Sequence, residues 1–315
     1  YTPADKSIIR SMYKGQAPPQ VLTRYFGVLI LSFFLMLLFV GCSTEEPPKI
    51  PDQLSPTMAT KTIQPFNTST AVDNTPEDQL LTTPTPDCLL AAGTVEEQSF
   101  FSALLETDFF YKVYLPPCYE EKPDHQYPTL YLLHGLSYDN QQWIRLGLKE
   151  SMDELIRNDE IRPFIIILPT EPRFDPPERS LYGDALVNEL IPEVENQYRT
   201  LNDKTYRGIG GLSRGAAWAV RIGFEHYDHF GKVGAHSLPL FQAETWLTQN
   251  PKEELPLFFI DIGRDDSEWQ SAQAFSNQLN QNGVPHEWYL FTGGHSEEYW
   301  SAHLEQYLLW YGKDW

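Results

Sequence analysis

The chain has 315 residues, a formal charge of −20 at pH 7 and an apolar fraction of 41%. This length and apolar content suit one large globular domain with additional segments, and the negative charge argues against nucleic acid or an anionic membrane surface as a partner of the folded part. The three cysteines show no Cys-x-x-Cys or Cys/His spacing. We therefore expect no zinc site, and the chemistry inferred below needs no metal or cofactor.

The first 42 residues are interpreted as a targeting segment. A stretch with four basic residues precedes an uncharged apolar run over 26–40, which ends at Gly41-Cys42. A run of this length is short for a membrane span of about 20 residues and suits a signal peptide. Phe39-Val40-Gly41-Cys42 resembles a bacterial lipobox, which implies that Cys42 is lipidated and becomes the mature N-terminus. An uncleaved membrane anchor is the alternative, and both place the remaining chain outside the cytoplasm at the cell membrane.

Residues 43–87 are rich in Thr, Pro, Ser and acidic residues and lack a sustained helical or strand period. Such a segment buries too little apolar area to offset its ordering entropy, so we predict a disordered linker. The folded domain is expected over 88–315. Near its start, Cys88 and Cys118 either pair as a disulfide, as an oxidising compartment favours, or remain two free thiols.

Strands and helices alternate through most of the folded domain. The strands are predicted over 99–104, 109–115, 129–133, 164–168, 206–210, 232–235, 257–262 and 287–291. The helices are predicted over 147–157, 182–198, 214–226, 241–249, 268–282 and 298–310. This alternation predicts an α/β fold with a mostly parallel central sheet and helices on both faces. The loops at the carboxyl ends of the strands then share one rim.

A Gly-x-Ser-x-Gly sequence, Gly211-Leu212-Ser213-Arg214-Gly215, lies between a predicted strand and a predicted helix. A strand, a tight turn and a helix in this order form the setting of a nucleophile elbow, where small neighbours let the serine occupy a sharp bend. The amino end of the helix also directs N–H groups toward negative charge that forms on a bound substrate. We predict Ser213 as the nucleophile; the alternative is a Gly-rich turn whose serine only caps the helix.

A serine nucleophile needs a base and an acid that orients the base. His295 follows the last predicted strand in a Gly-rich loop, and we predict it as the base. Asp266 is predicted as the acid, with Asp265 as the alternative, because a shift of one residue in this turn decides which carboxylate points inward. The resulting chain order of Ser, acid and His is that of the α/β-hydrolases. His236 also follows a predicted strand and is expected to line the pocket, with the role of base as its alternative.

An oxyanion formed on acyl attack needs two preorganised N–H donors. We predict the backbone amides of Arg214, directly after the nucleophile, and of Leu136, in the loop after His134-Gly135. Trp143 and Tyr182 are candidates for the substrate pocket, with packing in the core or a lid as the alternative for each.

Together these motifs resemble the putative-esterase family of α/β-hydrolases, which includes feruloyl, acetyl xylan, esterase D-like and enterochelin-esterase-like enzymes. The resemblance extends from about residue 99 to residue 315. It rests on five segments: Tyr114-Leu115-Pro116-Pro117, Tyr131-Leu132-Leu133-His134-Gly135, Asn188-Glu189-Leu190-Ile191-Pro192, Gly210-Gly211-Leu212-Ser213-Arg214-Gly215 and Gly293-Gly294-His295. It implies an α/β-hydrolase fold and assigns the nucleophile to Ser213, the base to His295 and the acid to Asp266. Ala216 stands where many members have Gly.

The sequence thus predicts a serine carboxylesterase, lipid-anchored at the cell envelope, that acts through an acyl-enzyme on a small-molecule or polysaccharide-linked ester. One alternative is an acyltransferase of the mycolyltransferase-like type. Another is a surface binding module that has lost turnover. The identity of the ester is not encoded in any of these motifs.

Overall fold

The computed structural model describes residues 87–315. The predicted targeting segment with Cys42 and nearly all of the predicted linker lie outside the described residues. Within the described range, no helix combines the length and the apolar character that crossing a membrane requires.

The centre of the domain is an eight-stranded sheet. Its strands are β1 (Thr94–Ser102), β2 (Thr107–Leu115), β3 (Thr129–Leu133), β4 (Ile165–Pro169), β5 (Arg207–Leu212), β6 (Lys232–His236), β7 (Leu257–Gly263) and β8 (His286–Phe291). They lie in the order β1-β2-β4-β3-β5-β6-β7-β8. β1 and β2 pair antiparallel, and β2 pairs antiparallel with β4. All other neighbours are parallel. β5 therefore lies centrally, and the carboxyl ends of β3 to β8 face one edge.

Helices cover both faces of this sheet. The helices are α1 (Asp87–Leu90), α2 (Gln142–Arg145), α3 (Leu148–Arg157), α4 (Tyr182–Ala185), α5 (Ile191–Gln197), α6 (Arg214–Glu225), α7 (Glu244–Gln249), α8 (Trp269–Gln281) and α9 (Glu297–Gly312). One apolar layer packs α4, α5, α6 and α8 on the sheet, and a second packs α3 and α9 on the opposite face. The alternating side chains of β4 explain why both faces are covered. Ile165 and Ile167 enter the first apolar layer, and Ile166 and Leu168 enter the second.

The predicted alternation is confirmed as an α/β fold, and most element bounds differ by a few residues at most. The predicted helix over 182–198 is interrupted by a π-helical turn at Leu186–Leu190, which separates α4 from α5. Pro192 lacks an N–H group, so it cannot donate to the carbonyl four residues before it, and the helical ladder changes at this point.

A disulfide joins Cys88 in α1 to Cys118 after β2, closing a loop with a sequence separation of 30. Of the two alternatives that the sequence left open, the structure shows the bonded pair. The bond fastens the start of the described chain to the sheet.

Candidate active site

Ser213 lies in the turn between β5 and α6, at the carboxyl edge of the sheet. Its backbone adopts φ 54° and ψ −120°, a strained conformation for a residue with a side chain. The amide of Ser213 donates to the carbonyl of His236 at 2.9 Å, which holds the turn against β6. The serine therefore occupies a sharp bend that is held against β6.

The close packing of this turn explains the glycine two residues after the serine. A Cβ atom on Gly215 would lie 2.4 Å from the carbonyl oxygen of Leu133 and 2.7 Å from that of His134. No side chain fits in this space, so the first turn of α6 touches the end of β3 directly. A glycine at this position thus brings the loop after β3 beside the nucleophile.

His295 and Asp266 complete a hydrogen-bonded chain with Ser213. The Ser213 Oγ lies 2.9 Å from Nε2 of His295, and Nδ1 of His295 lies 2.7 Å from Oδ2 of Asp266. Asp266 is buried, whereas Asp265 is exposed. The structure brings together the predicted serine, histidine and first-choice acid from the loops after β5, β7 and β8, and it turns the alternative acid toward solvent.

Backbone hydrogen bonds between two loops determine which aspartate turns inward. The amide of Arg264 donates to the carbonyl of Phe291, and the amide of Asp265 donates to that of Gly293, both at 2.8 Å. Gly293 has φ 127°, a region that favours glycine. With the backbone of Asp265 fixed in this way, the next side chain, that of Asp266, lies under the imidazole.

The environment of Asp266 keeps it ionised. Burial by itself raises the pKa of this carboxyl group, but hydrogen bonds from His295, from the Glu268 amide and from the Ser237 hydroxyl outweigh it, so the net pKa is lowered. The Glu268 amide donates to Oδ1 at 3.0 Å. Ser237 is itself held by Trp300, whose Nε1 donates to the serine Oγ at 3.0 Å. A fixed carboxylate therefore faces the imidazole N–H.

The two predicted oxyanion donors belong to neighbouring strands, since Leu136 follows β3 and Arg214 follows β5. A Cβ atom on Gly135 would lie 3.8 Å from the Cβ of Ser213, so the loop after β3 runs beside the nucleophile. The Gly135 amide already donates to Oε1 of Gln142 at 2.8 Å. The amides of Leu136 and Arg214 have no backbone or side-chain acceptor among the described residues, which leaves both available to a ligand.

His134 orders the loop that carries Leu136. Its Nε2 accepts a hydrogen bond from the Glu171 amide at 2.9 Å, so its Nδ1 carries the proton and donates to the Gly135 carbonyl at 2.8 Å. Burial lowers the pKa of His134, in agreement with a neutral ring. His134 therefore acts in this structure as a fixed link between the loops after β3 and β4.

The predicted pocket residues lie elsewhere. Trp143 is 1% exposed, and its Nε1 donates to the Leu133 carbonyl at 3.0 Å. Tyr182 is also 1% exposed and packs against Phe109 and Trp218; it borders a cavity of about 180 Å³ whose lining does not include Ser213. The burial of Trp143 fits its alternative, packing in the core, and its predicted pocket role is wrong. Tyr182 faces a different cavity from the one expected.

His236 is fully buried and does not face the rim. Its Nδ1 lies 2.6 Å from Oδ1 of Asp261, and Oδ2 of Asp261 accepts from Tyr299 at 2.7 Å and from Tyr307 at 2.8 Å. The expectation that His236 lines the pocket, and its alternative as base, are corrected here: both ring nitrogens are taken up inside the core, Nε2 by Tyr311 at 3.1 Å.

Sequence reasoning missed several residues that position the site. Gln142, which fixes the Gly135 amide, also donates to Glu297 at 3.2 Å, and Glu297 lies two residues after His295. Glu171 binds the guanidinium of Arg214. No short motif marks these residues, because Glu297 lies far from Gln142 in the sequence and Arg214 lies far from Glu171. In the described range no group of three or more His, Cys, Asp or Glu side chains is arranged to hold a metal ion.

Comparison with known proteins identifies the family. The Esterase family, described as Putative esterase, matches residues 102–311, well over half of the chain, and the matched range includes Ser213, Asp266 and His295. The chain belongs to this esterase family. Family membership agrees with the resemblance inferred from the motifs.

A curated relative of this esterase is an endo-1,4-beta-xylanase/feruloyl esterase of Xylanibacter ruminicola, 27% identical over 187 residues. The match covers 56% of this chain and 25% of the relative. The chain thus spans a quarter of that relative and about half of several others.

Solved structures share the fold. A ferulic acid esterase is 28% identical with a TM-score of 0.64, and the match covers 70% of this chain and 98% of that one. An S-formylglutathione hydrolase from Staphylococcus aureus is 18% identical with a TM-score of 0.59, covering 71% of this chain and 100% of that one. The esterase therefore has the α/β-hydrolase fold.

Proposed function

We propose that this esterase is a serine carboxylic-ester hydrolase that works through an acyl-enzyme. The observation that carries the proposal is the continuous hydrogen-bonded chain from Asp266 through His295 to Ser213, at the amino end of α6. An unassisted hydroxyl is a poor nucleophile, and an imidazole held in the correct tautomer by a buried carboxylate removes its proton as it attacks.

The reaction begins when Ser213 Oγ attacks the ester carbonyl and its proton passes to Nε2 of His295. The carbonyl oxygen becomes an oxyanion that accepts hydrogen bonds from the amides of Leu136 and Arg214. The C–O bond to the alcohol then breaks, and His295 protonates the departing alkoxide. The product is an acyl-serine and a free alcohol.

Deacylation repeats these steps with water. His295 removes a proton from water, the resulting hydroxide adds to the acyl carbon, and the same two amides hold the second oxyanion. Collapse expels Ser213 Oγ, which regains its proton from His295, and releases the carboxylic acid. Throughout, Nδ1–H of His295 stays bonded to Asp266, whose lowered pKa keeps it a carboxylate.

For the substrate, we propose an ester with an apolar or aromatic acyl group of the feruloyl kind. Large apolar side chains are exposed on the loops after β3, β4 and β6, all at the carboxyl edge that carries Ser213; they are Leu136, Tyr138, Phe174 and Leu240. Exposed apolar groups gathered near a reactive centre favour an apolar ligand. The names of the xylanase/feruloyl esterase relative and the ferulic acid esterase structure support this choice.

The test uses residues 87–315 with three substrates: p-nitrophenyl acetate, methyl ferulate and a long-chain p-nitrophenyl ester. We expect hydrolysis by the wild type, loss of at least about a thousandfold in kcat for Ser213→Ala, and labelling of the wild type alone by a fluorophosphonate. Undiminished turnover by the folded Ser213→Ala variant contradicts the mechanism. Faster transfer of the acyl group to an added alcohol than to water indicates the acyltransferase alternative, and a wild type without labelling or turnover indicates a binding module.

We also propose that the protein is lipid-anchored at Cys42 on the outer side of the cell membrane. The lipobox-like sequence supports this, and so does the Cys88–Cys118 disulfide, because structural disulfides persist in oxidising compartments. The test is metabolic labelling with an alkynyl fatty acid in a bacterial host. The wild type should take up the label in the membrane fraction, and Cys42→Ala should not; equal labelling of both contradicts the proposal.

A further inference from the structure

The side chain of Arg214 is held by three hydrogen bonds. Its Nε donates to Oε2 of Glu171 at 2.7 Å, and its Nη2 donates to Oε1 of Glu171 at 2.5 Å and to the carbonyl of Asp175 at 2.6 Å. The Glu171 side chain is only 3% exposed. This paired arrangement gives a rigid connection between the first turn of α6 and the loop after β4.

Glu171 reaches the other side of the site through its backbone. Its amide donates to His134 Nε2 at 2.9 Å, and His134 Nδ1 donates to the Gly135 carbonyl at 2.8 Å; that carbonyl also accepts from the Tyr138 amide at 3.2 Å. The Gly135 carbonyl and the Leu136 N–H belong to one trans peptide plane and point in opposite directions. Fixing the carbonyl therefore aims the Leu136 N–H.

Glu171 is thus connected to both halves of the proposed oxyanion hole, directly to Arg214 and through His134 to the peptide of Leu136. The Glu171 carboxylate holds the side chain of Arg214, whose backbone amide is one of the two donors. The Glu171 amide binds His134, and His134 in turn holds the peptide that carries the other donor, the N–H of Leu136. The two donors come from different loops, so their separation depends on a link between these loops. We propose that Glu171 is a positioning residue that sets the spacing and direction of the two oxyanion donors. This inference rests on the proposed function, since it concerns the same catalytic site.

A positioning role of Glu171 has a kinetic consequence that a purely structural ion pair would not have. Donors aimed at an oxyanion stabilise the transition state more than the bound ester, so loosening them lowers kcat and changes KM little. It also reduces discrimination between an ester and its thionoester, because sulfur is a poor hydrogen-bond acceptor and gains little from well-placed donors. The ratio of oxo-ester to thionoester turnover therefore reports on the hole itself.

The chain offers a matched control at the other end of β5. Arg207 begins β5, six residues before Ser213, and its guanidinium pairs with Glu195 and donates to the His229 carbonyl. Both ion pairs are largely buried, and each arginine also binds one backbone carbonyl. Glu195→Gln thus breaks a comparable pair at the opposite end of β5.

The experiment compares wild type, Glu171→Gln and Glu195→Gln on a p-nitrophenyl ester and its thionoester, with circular dichroism as a check of folding. Glu171→Gln retains the backbone amide and the side-chain shape. We expect its kcat on the oxo-ester to fall about 10- to 100-fold with little change in KM, and its oxo-to-thiono ratio to fall similarly. Glu195→Gln should leave that ratio unchanged.

A Glu171→Gln variant with wild-type kcat and ratio overturns the inference, as does an equal fall of the ratio in Glu195→Gln. If Glu171→Gln does not fold, Arg214→Lys takes its place, since lysine retains the charge but lacks the two-pronged geometry; an unchanged ratio in that variant also overturns the inference. A wild type that is no more active than Ser213→Ala contradicts the proposed function instead of this inference. The two failures are distinguishable, because the wild type is compared with Ser213→Ala before any Glu171 variant is measured.

Discussion

Asp261 and His236 form a buried histidine–aspartate pair directly behind the nucleophile turn. Their Oδ1 and Nδ1 atoms lie 2.6 Å apart, both side chains are fully buried, and the carbonyl of the same His236 receives the Ser213 amide. Two histidine–aspartate pairs thus lie close to the nucleophile turn: His295–Asp266 is open to the rim, and His236–Asp261 is sealed in the core. The sealed pair connects β6 and β7 to α9 through tyrosine hydroxyls.

The first prediction concerns this sealed pair. Asp261→Asn should lower the free energy of unfolding by about 3–5 kcal/mol. The side-chain amide nitrogen of the new asparagine faces hydrogen-bond donors, and the negative charge of the carboxylate, which His236 and two tyrosines surround, is lost. Urea unfolding measures this change. Exposed Asp265→Asn is the control and should unfold like the wild type; equal stability of the two variants contradicts the prediction.

The second prediction separates the two adjacent aspartates by activity. Asp266→Asn should reduce kcat by about ten-thousandfold, because an amide in place of the carboxylate no longer selects the His295 tautomer with a free Nε2. Asp265→Asn should hydrolyse a p-nitrophenyl ester close to the wild-type rate, since its side chain is exposed. The assignment of the acid is wrong if the larger loss falls on Asp265→Asn.

The third prediction concerns the disulfide. Replacing both Cys88 and Cys118 by serine should lower the free energy of unfolding by about 3–4 kcal/mol, because the unfolded chain then regains the entropy of an open loop. Urea unfolding with and without a reducing agent measures it. The reductant should destabilise the wild type and leave the double variant unchanged, and a wild type indifferent to reduction argues against a stabilising bond.

The fourth prediction is a pH dependence from His134. Burial lowers the pKa of this histidine below its ordinary value in the folded state, so the unfolded chain binds a proton more readily. Neutral His134 therefore contributes to the stability of the fold at pH values above about 6.5, the pKa that the histidine has in the unfolded chain. This contribution is lost as the pH falls below that value.

The measurement is the free energy of unfolding at about pH 7.5 and about pH 5.5, a range that spans the ordinary histidine pKa. His134→Gln should show a smaller loss between the two values than the wild type. His125→Gln, at an exposed histidine, should lose as much as the wild type does. Identical losses in wild type and His134→Gln contradict the prediction.

Much of the site follows from consecutive residues. The elbow sequence around Ser213, the Gly-rich loop before His295 and the order of strands and helices are local patterns, readable because backbone geometry at a turn depends on immediate neighbours. The positioning roles of Glu171 and Gln142 could not be read in this way. Glu171 meets Arg214, and Gln142 meets Glu297, only after the chain has passed through one or more further strands of the sheet.

The sequence by itself determined the α/β architecture and the identities of the candidate serine and histidine, since periodicity and turn chemistry are properties of short segments. Only the tertiary structure decided that Asp266 rather than Asp265 faces the imidazole, and that His236 and Trp143 belong to the core. The physical reason is that a side chain's direction and burial depend on hydrogen bonds between loops that are distant in the chain, as those from Arg264 and Asp265 to the loop before His295 demonstrate.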